Sequence, residues 1–470
     1  MAPIPDRVAA ALDRAGIITP ERLHETIDLA WPRIITGVAL MSKSTVDLVL
    51  VGWSVGAAAI AGLAFAQAYW TVAKFAGIGL AGGTVSLVSQ NVGGGAADRA
   101  GTVLDVSVLL AAIACLPLIV LYTQAAYPLV NLIARDSGAA VEHGATYLAI
   151  VAPALGFEFY NLIASRTYAG VGDTFTPMVV RAGGGIVNAG ASTVLVFGAD
   201  LEVTGVALGT VLATGAVSVV LVWGLLGRPY PVPGMAASPV THRGLGTFDP
   251  MLARQLISVS APLVGRRVVE HLVTFPLLFI AASFGPAVVA AYEIGRRVRA
   301  LLDSFSWGFS IASSTLVGQE LGAGREGSAA EYGWSIVRLS GVIYVVTAVV
   351  VVVAAPWIVL LFDPGPEAID PAVTFVRLAA VSVVFLGIDG SITGTLRGAG
   401  DTLWPFYVSL VAQYAVALPL AAIGLVTPLA VTGLYAAFVV APGTRAALNL
   451  YRLRQGDWKR VSRQYRPDAV

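Results

Sequence analysis

The chain has 470 residues, of which 57% are hydrophobic and only 12% charged, about half the charged share of a soluble domain. Its mean hydropathy is +0.79, the composition of a chain that crosses a lipid bilayer many times. A formal net charge of +1 gives nucleic acid no footing, and the single cysteine, Cys115, excludes an intramolecular disulfide and any multi-cysteine metal site.

The first residues, MAPIPDRVAAALDRAG, contain no sustained apolar core. The pattern expects a short amphipathic lead-in over residues 1–29 rather than a signal peptide. Segments apolar and long enough to span follow at 30–52, 57–84, 101–123, 141–168, 174–198 and 203–226. A second set lies at 252–282, 286–316, 331–361, 370–396, 402–424 and 429–452. Between them, residues 227–250 hold five prolines and four glycines, which cannot continue a helix and read as a linker. The expected organisation is an N-lobe over 30–226, a C-lobe over 251–452 and a basic tail over 453–470.

The two sets are copies of one another. LVSQNVGGG from Leu87 corresponds to LVGQELGAG from Leu316, and GVGDTFTP from Gly170 to GAGDTLWP from Gly398. Val203-Thr204-Gly205 matches Val431-Thr432-Gly433, and Pro32 matches Pro262, so the offset stays between 228 and 230 residues. Six spans per copy give both copies the same orientation. The fold expected is therefore an all-α integral membrane protein, with twelve transmembrane helices in two six-helix lobes and a pseudo-twofold axis along the membrane normal. The loops after even-numbered spans carry Arg99, Arg166, Arg181, Arg228, Arg243, Arg325 and Arg397, and the tail adds Arg452, Arg454, Lys459, Arg460, Arg463 and Arg466. The opposite loops carry Asp200, Glu202, Asp363, Glu367 and Asp370, with Arg135 the basic exception. The positive-inside rule then expects both termini in the cytoplasm, and the expected location is the plasma membrane.

Within the first span, Asp47 stands among Val46, Leu48, Val49, Leu50 and Val51. A charge at the centre of a membrane helix costs about 2.5–3.5 kcal/mol on insertion scales, so it is usually kept for function. Two roles stay open for Asp47: a structural carboxylate held by a neighbouring helix, or a group that takes up a proton or cation on a transport path. Glu270 with His271 is a second candidate, although Arg266 and Arg267 lie on the same helix face and compete as ion-pair partners. The eighth span carries Glu293, Arg296, Arg297, Arg299 and Asp303, which must face a cavity or pair among themselves. Asp173 and Asp401, in the two copies of the GxGDT turn, are suited to capping the helix that follows. GIGLAG from Gly77 fits a nucleotide-binding pattern without the strand–helix unit that such a site needs, so close helix packing explains it.

VDLVLVGWSVGAAAIAGL, SLVSQNVGGG with its twin TLVGQELGAG, and GVGDTFTP with its twin LRGAGDTLWP together carry a family pattern. From about Glu21 to Tyr451 the chain resembles the multidrug and toxic compound extrusion (MATE) transporters, on the side of their archaeal and DNA-damage-inducible-like prokaryotic branch. The resemblance implies a secondary active exporter of organic, often cationic, compounds, driven by an inward H⁺ or Na⁺ gradient through alternating access. It implies no cofactor beyond that coupling ion and no catalysis, and nothing in the chain demands more than a monomer. Residue by residue, it places Asp47 on the family's first-span carboxylate, Asn188 on its fifth-span asparagine and Thr210 on its sixth-span threonine. Asn161 falls near a fourth-span polar position, and Ser192 stands where the family often has a second Asp. These groups are expected to satisfy Asp47 or to ligate Na⁺ beside it; no other metal is implied. Glu270 matches a seventh-span Glu of other branches, whose tenth-span Asp is replaced by Leu386, with Asp389 one turn away. Phe65, Tyr69, Trp70, Phe157, Phe305 and Trp307 are the aromatic candidates for lining a substrate cavity. A flippase for lipids or lipid-linked oligosaccharides, from the same superfamily, is the alternative. An intramembrane enzyme would need a catalytic constellation, and the four histidines and the serines form none.

Overall fold

The computed structural model describes residues 5–134, 138–244, 248–362 and 365–467. Arg135 and Asp363, both counted above in the charge bias, lie outside the described residues. Every regular element among the described residues is helical. In chain order they are α1 (Asp6–Arg14), α2 (Pro20–Ser54), α3 (Ala57–Gly93), α4 (Ala97–Gln124), α5 (Ala126–Ala134), α6 (Ala139–Val151), α7 (Ala154–Val171), α8 (Phe175–Thr193) and α9 (Glu202–Leu225). Then come α10 (Pro250–Leu272), α11 (Thr274–Ala282), α12 (Pro286–Asp303), α13 (Ser306–Gly322), α14 (Glu326–Leu360), α15 (Pro366–Gly398), α16 (Leu403–Leu410), α17 (Leu418–Val426), α18 (Val431–Gln455) and α19 (Asp457–Ser462). Wider π-type turns extend α8 through Val194–Gly198 and join α16 to α17 through Val411–Ala417.

These helices make the twelve expected passes. Eight are long and apolar enough on their own to cross a bilayer, and α6 with α7, bent by 55° beside Pro153, make a ninth. The other three, α2, α10 with α11, and α12 with α13, carry the charges that make them read weakly: Lys43 and Asp47, Arg266 to Glu270, and Glu293 to Asp303. In lipid the backbone must satisfy itself, which is why the chain is helix throughout. Outward faces are apolar as lipid requires: Val346, Val349, Val350 and Val353 of α14 are each 60–63% exposed.

The chain divides into two compact units, Pro32–Val264 and Met1–Trp31 with Gly265–Val470. This differs from the expected lobes of 30–226 and 251–452. In the first unit α3 packs on α4, α6 and α7, and α9 packs on α7 and α8. Close approach depends on small residues: a Cβ on Gly62 would meet the Ala140 carbonyl oxygen at 2.5 Å, and one on Gly144 the Gly62 carbonyl oxygen at 2.7 Å. The linker and the start of α10 belong to this unit. Gly79 and Gly83 of α3 leave room for the Val264 and Ser260 turns of α10, the Ser238 amide donates to the Gly224 carbonyl at 3.2 Å, and His242 Nδ1 lies 2.6 Å from Asp105 Oδ1.

In the second unit α15 is central, packed against α12, α13, α14 and α18. Phe375 of α15 is fully buried among Tyr292, Tyr435 and Phe438, with ring centroids 4.7–5.6 Å away in edge-to-face arrangements. The N-terminal segment, expected as a short amphipathic lead-in, packs into this core. Leu23, Leu29 and Ala30 are buried with Ala312, Leu316 and Leu339, while Arg22 pairs with Glu331 and Tyr332 with Glu25. The basic tail is likewise docked: Trp458 is 1% exposed, and Arg463 and Arg466 hold Glu326 at 2.9 and 2.7 Å.

Emptying the Phe375 position by Phe375→Ala is expected to cost about 3–5 kcal/mol of stability. The thermal midpoint of the detergent-solubilised protein reads it, and an unchanged midpoint would mean that this ring cluster does not hold the unit together.

Candidate functional site

α2 is amphipathic around its carboxylate. Val49 and Trp53 face outward, 39% and 77% exposed, whereas Asp47 is 3% exposed and turned into the unit. Two helices meet it there. Asn188 of α8 donates from Nδ2 to Asp47 Oδ1 at 2.7 Å. The Thr210 hydroxyl of α9 donates to Asn188 Oδ1 at 3.1 Å and lies 3.5 Å from Asp47 Oδ2. The network continues along α9. Thr214 donates to the Thr210 carbonyl at 2.6 Å, Asn161 Nδ2 of α7 donates to the Thr214 carbonyl at 3.1 Å, and Ser218 donates to Asn161 Oδ1 at 2.9 Å. Three of the family-matched residues thus meet directly, and Asn161 joins them through the backbone of α9. Ser192, one turn beyond Asn188, is fully buried against Gly209, and its hydroxyl has no partner among the described residues.

The oxygens gathered at Asp47 belong to a carboxylate, an amide and a hydroxyl. That set suits a proton or a hard cation and offers nothing to a soft metal. Among the described residues no group of three His, Cys, Asp or Glu side chains is placed to hold a metal ion. Sequence reasoning passed over Lys43, one turn before Asp47 and electrostatically coupled to it. The spacing of four was the signal. It also passed over Thr214 and Ser218, which continue the polar stripe of Thr210 at intervals of four along α9.

The second candidate group is arranged differently. Arg266 Nε donates to Glu270 Oε1 at 2.8 Å and Arg266 Nη2 to Asp389 Oδ2 at 3.1 Å. Arg445 of α18 spans the same two carboxylates, at 3.1 Å from Glu270 Oε1 and 2.6 Å from Asp389 Oδ2. Asn449 Nδ2 completes Asp389 Oδ1 at 2.6 Å. Glu270 and Asp389 are therefore brought together, but by two guanidinium groups. His271 is exposed on another face of α10, with Nδ1 3.1 Å from the Arg267 carbonyl. Asn449 and Arg445 were missed, since a four-residue spacing late in the last span does not by itself name a partner in α10 or α15.

The aromatic candidates fall in both units. Tyr69 is committed to packing, its hydroxyl donating to the Leu129 carbonyl at 2.5 Å and its ring set edge-on to Tyr122. Phe65 and Trp70 are half-buried on the same helix, and Phe157 packs by Gly215 while remaining 42% exposed. Phe305 and Trp307, at the α12–α13 break, are 41% and 40% exposed. At the GxGDT turns Gly172 and Gly400 adopt φ of +98° and +81°, and Asp173 Oδ1 accepts the Thr176 amide at 2.9 Å, capping α8. Asp401 likewise takes a backbone hydrogen bond from Trp404, three residues on, and also accepts Arg452 Nε at 2.8 Å. Burial pushes both of these carboxyl groups above the ordinary aspartate range, against the hydrogen bonds that pull them down.

Known proteins share this pattern. The family model described as MatE matches residues 32–192 and again 262–423, once in each repeat. The chain belongs to the MatE family. It is 27% identical over 457 residues to a probable multidrug resistance protein NorM of Bradyrhizobium diazoefficiens, covering 92% of each chain. It is 26% identical over 436 residues to the multidrug resistance protein MdtK of Pectobacterium atrosepticum, covering 91% of this chain and 94% of that one. Among solved structures, a MATE protein in its bent conformation superposes with a TM-score of 0.85 at 17% identity, over 94% of this chain and 96% of that chain. The shared architecture is the two-lobed transporter fold.

The two carboxylate sites of this MatE chain respond differently to loss of a partner. Arg445→Leu strands Glu270 and Asp389 with fewer counter-charges in a buried setting, and about 3–5 kcal/mol of stability should be lost. Thermal unfolding of the purified protein measures this, and a loss below that of a surface arginine variant would refute the bridging role.

Proposed function

We propose that this chain is a secondary active multidrug exporter of the plasma membrane, with both termini cytoplasmic. It carries organic, often cationic, compounds outward in exchange for H⁺ or Na⁺ moving down its gradient. Asp47 takes up the coupling ion, and the hydrogen bonds that it shares with Asn188 and Thr210 rearrange when it does. The observation that carries this reading is the buried Asp47 carboxylate, whose hydrogen bonds among the described residues come from neutral donors, with Lys43 coupled to it through space one turn away. A neutral amide and hydroxyl can follow a carboxylate through protonation or cation binding without leaving a bare charge behind. The names of the NorM and MdtK relatives support drug-like compounds as the exported class.

Glu270 and Asp389 fit an ion carrier less well. Each already has guanidinium partners, and a cation entering there would meet Arg266 and Arg445 at contact distance. We assign them a structural role in the second unit. Asn161, Thr214 and Ser218 extend the Asp47 network, so they are positions through which its state reaches α7 and α9.

Efflux of a cationic dye from proteoliposomes, driven separately by a proton or a sodium gradient, tests the reading. The wild-type chain is expected to transport with one of the two, and Asp47→Asn to fall to the level of protein-free vesicles while eluting as a folded species. Asn188→Ala should slow transport without abolishing it. Full-rate export by Asp47→Asn would end the assignment, and a lack of dye efflux under either gradient would favour a flippase.

A further inference from the structure

The first unit contains a second charged group that the ion path does not use. Glu158 of α7 is buried between Arg181 of α8, with Nη2 at 2.9 and 3.2 Å from its two oxygens, and Lys74 of α3 at 3.3 Å. One carboxylate thus answers two cations. Arg181 is 6% exposed, and its second terminal nitrogen, Nη1, is buried with no partner among the described residues. A buried guanidinium N–H left unmade costs about 1–3 kcal/mol or more, so its retention calls for a ligand.

A cavity of about 40 Å³ lies against that arginine. Arg33 of α2 and Arg166 of α7 also line it, with the hydroxyl residues Thr36, Ser165 and Thr174, and no carboxylate is among the lining residues. A water needs about 10–15 Å³ of such space, so the cavity has room for about three, the footprint of one tetrahedral anion. It sits beside the turn between α7 and α8, where two passes end and the chain leaves the membrane-spanning segments. The start of α8, with Thr174 just before it and Pro177 in its first turn, adds the positive end of its dipole. Asp173 offsets part of that dipole by capping Thr176.

The internal repeat supplies an independent argument. At the offsets of the two copies, Arg33, Arg166 and Arg181 correspond to Leu263, Gly394 and Ser409, and Glu158 to Leu386. The same helices are built in the other half without a single one of these charges. The three arginines are therefore particular to this half, and they converge on one cavity.

We propose that this arginine-lined cavity binds a phosphate-class anion, presented either as the phosphate headgroup of a lipid or as a free phosphate. Three guanidinium groups around one tetrahedral anion provide the charge and the forked donors that phosphate oxygens select. The cavity shares no lining residue with the Asp47 network, and its binding is read without any ion gradient, so the result does not depend on the coupling proposal.

The test uses the full chain, purified and delipidated in detergent. Thermal midpoints are measured with inorganic phosphate, with dioctanoyl phosphatidic acid, and with dioctanoylglycerol as the phosphate-free lipid control. The midpoint is expected to rise with phosphate or with phosphatidic acid and to stay put with dioctanoylglycerol. A rise with phosphate alone identifies a soluble anion, and a rise confined to phosphatidic acid identifies a headgroup. Arg166→Gln and Arg33→Gln, which leave the Glu158–Arg181 pair in place, should each bind about tenfold to hundredfold more weakly, the loss of a charge-assisted hydrogen bond. Two variants are used so that one which fails to elute as a folded monodisperse species leaves the other to decide. No stabilisation by either phosphate probe overturns the proposal, as does stabilisation that a folded variant retains in full.

Discussion

A charged side chain placed in the interior of a lipid bilayer has to be answered by the protein, because no water is there to do it. Each half of this chain meets that constraint, and each meets it in its own way. Asp47 is answered by hydrogen bonds from an amide and a hydroxyl with Lys43 one turn away, Glu270 and Asp389 by a pair of bridging arginines, and Arg181 by a single shared carboxylate. The kind of partner decides what the buried group is able to do. Neutral partners tolerate two charge states of a carboxylate, whereas guanidinium partners fix one state and would be exposed as bare cations if it changed. The same fold thus holds one carboxylate hydrogen-bonded by neutral groups, the one we propose exchanges an ion, and two that are bridged by arginines.

Much of this was legible in the sequence. The repeat, the twelve passes and the linker followed from apolar length and from paired motifs at a constant offset. Asp47 declared itself because a lone carboxylate among valines and leucines has no cheap explanation. Its alignment with Asn188 and Thr210 came from the family resemblance, and the structure brings those side chains into contact. The less legible features are those set by contacts between residues far apart in the chain. Arg445 lies 175 positions from Glu270, and no local pattern says that a last-span arginine will bridge two carboxylates. Arg166 and Arg181 read as loop charges obeying an orientation rule, although Arg181 is buried within α8.

The boundaries between the compact units teach the same lesson from the backbone. Pattern alone divided the chain at the proline-rich linker, where helix stops. Packing divides it at Pro32 and near Pro262, inside continuous helices. Apolar residues ahead of those prolines, such as Leu23, Leu29 and Ala30, find their burial against α13 and α14. Residues on the far side of the linker, such as Leu256 and Val259, are buried in the first unit. A proline removes one backbone hydrogen bond and eases bending at that point. The repeats place this weak point at the same position in both first helices, so the change of unit coincides with the place where each helix bends most easily.

Duplication gives two copies of one scaffold, and divergence then acts on side chains without disturbing it. Gly172 and Gly400 keep the same left-handed turn, and Asp173 and Asp401 stand at the same place beyond it. Both aspartates take the backbone hydrogen bond of the residue three positions on, and Asp401 adds an ion pair with Arg452. Glu158 and Arg181 are ionised groups in the first copy where the second has Leu386 and Ser409. Conversely, Arg266 and Arg445 arm the second copy, where the first has Thr36 and Val217 at the offsets of their spans, 230 and 228. Backbone geometry, held by glycine and proline, is what the two halves share. The buried charges are what they do not share, and a membrane interior makes those charges too costly to keep without a use.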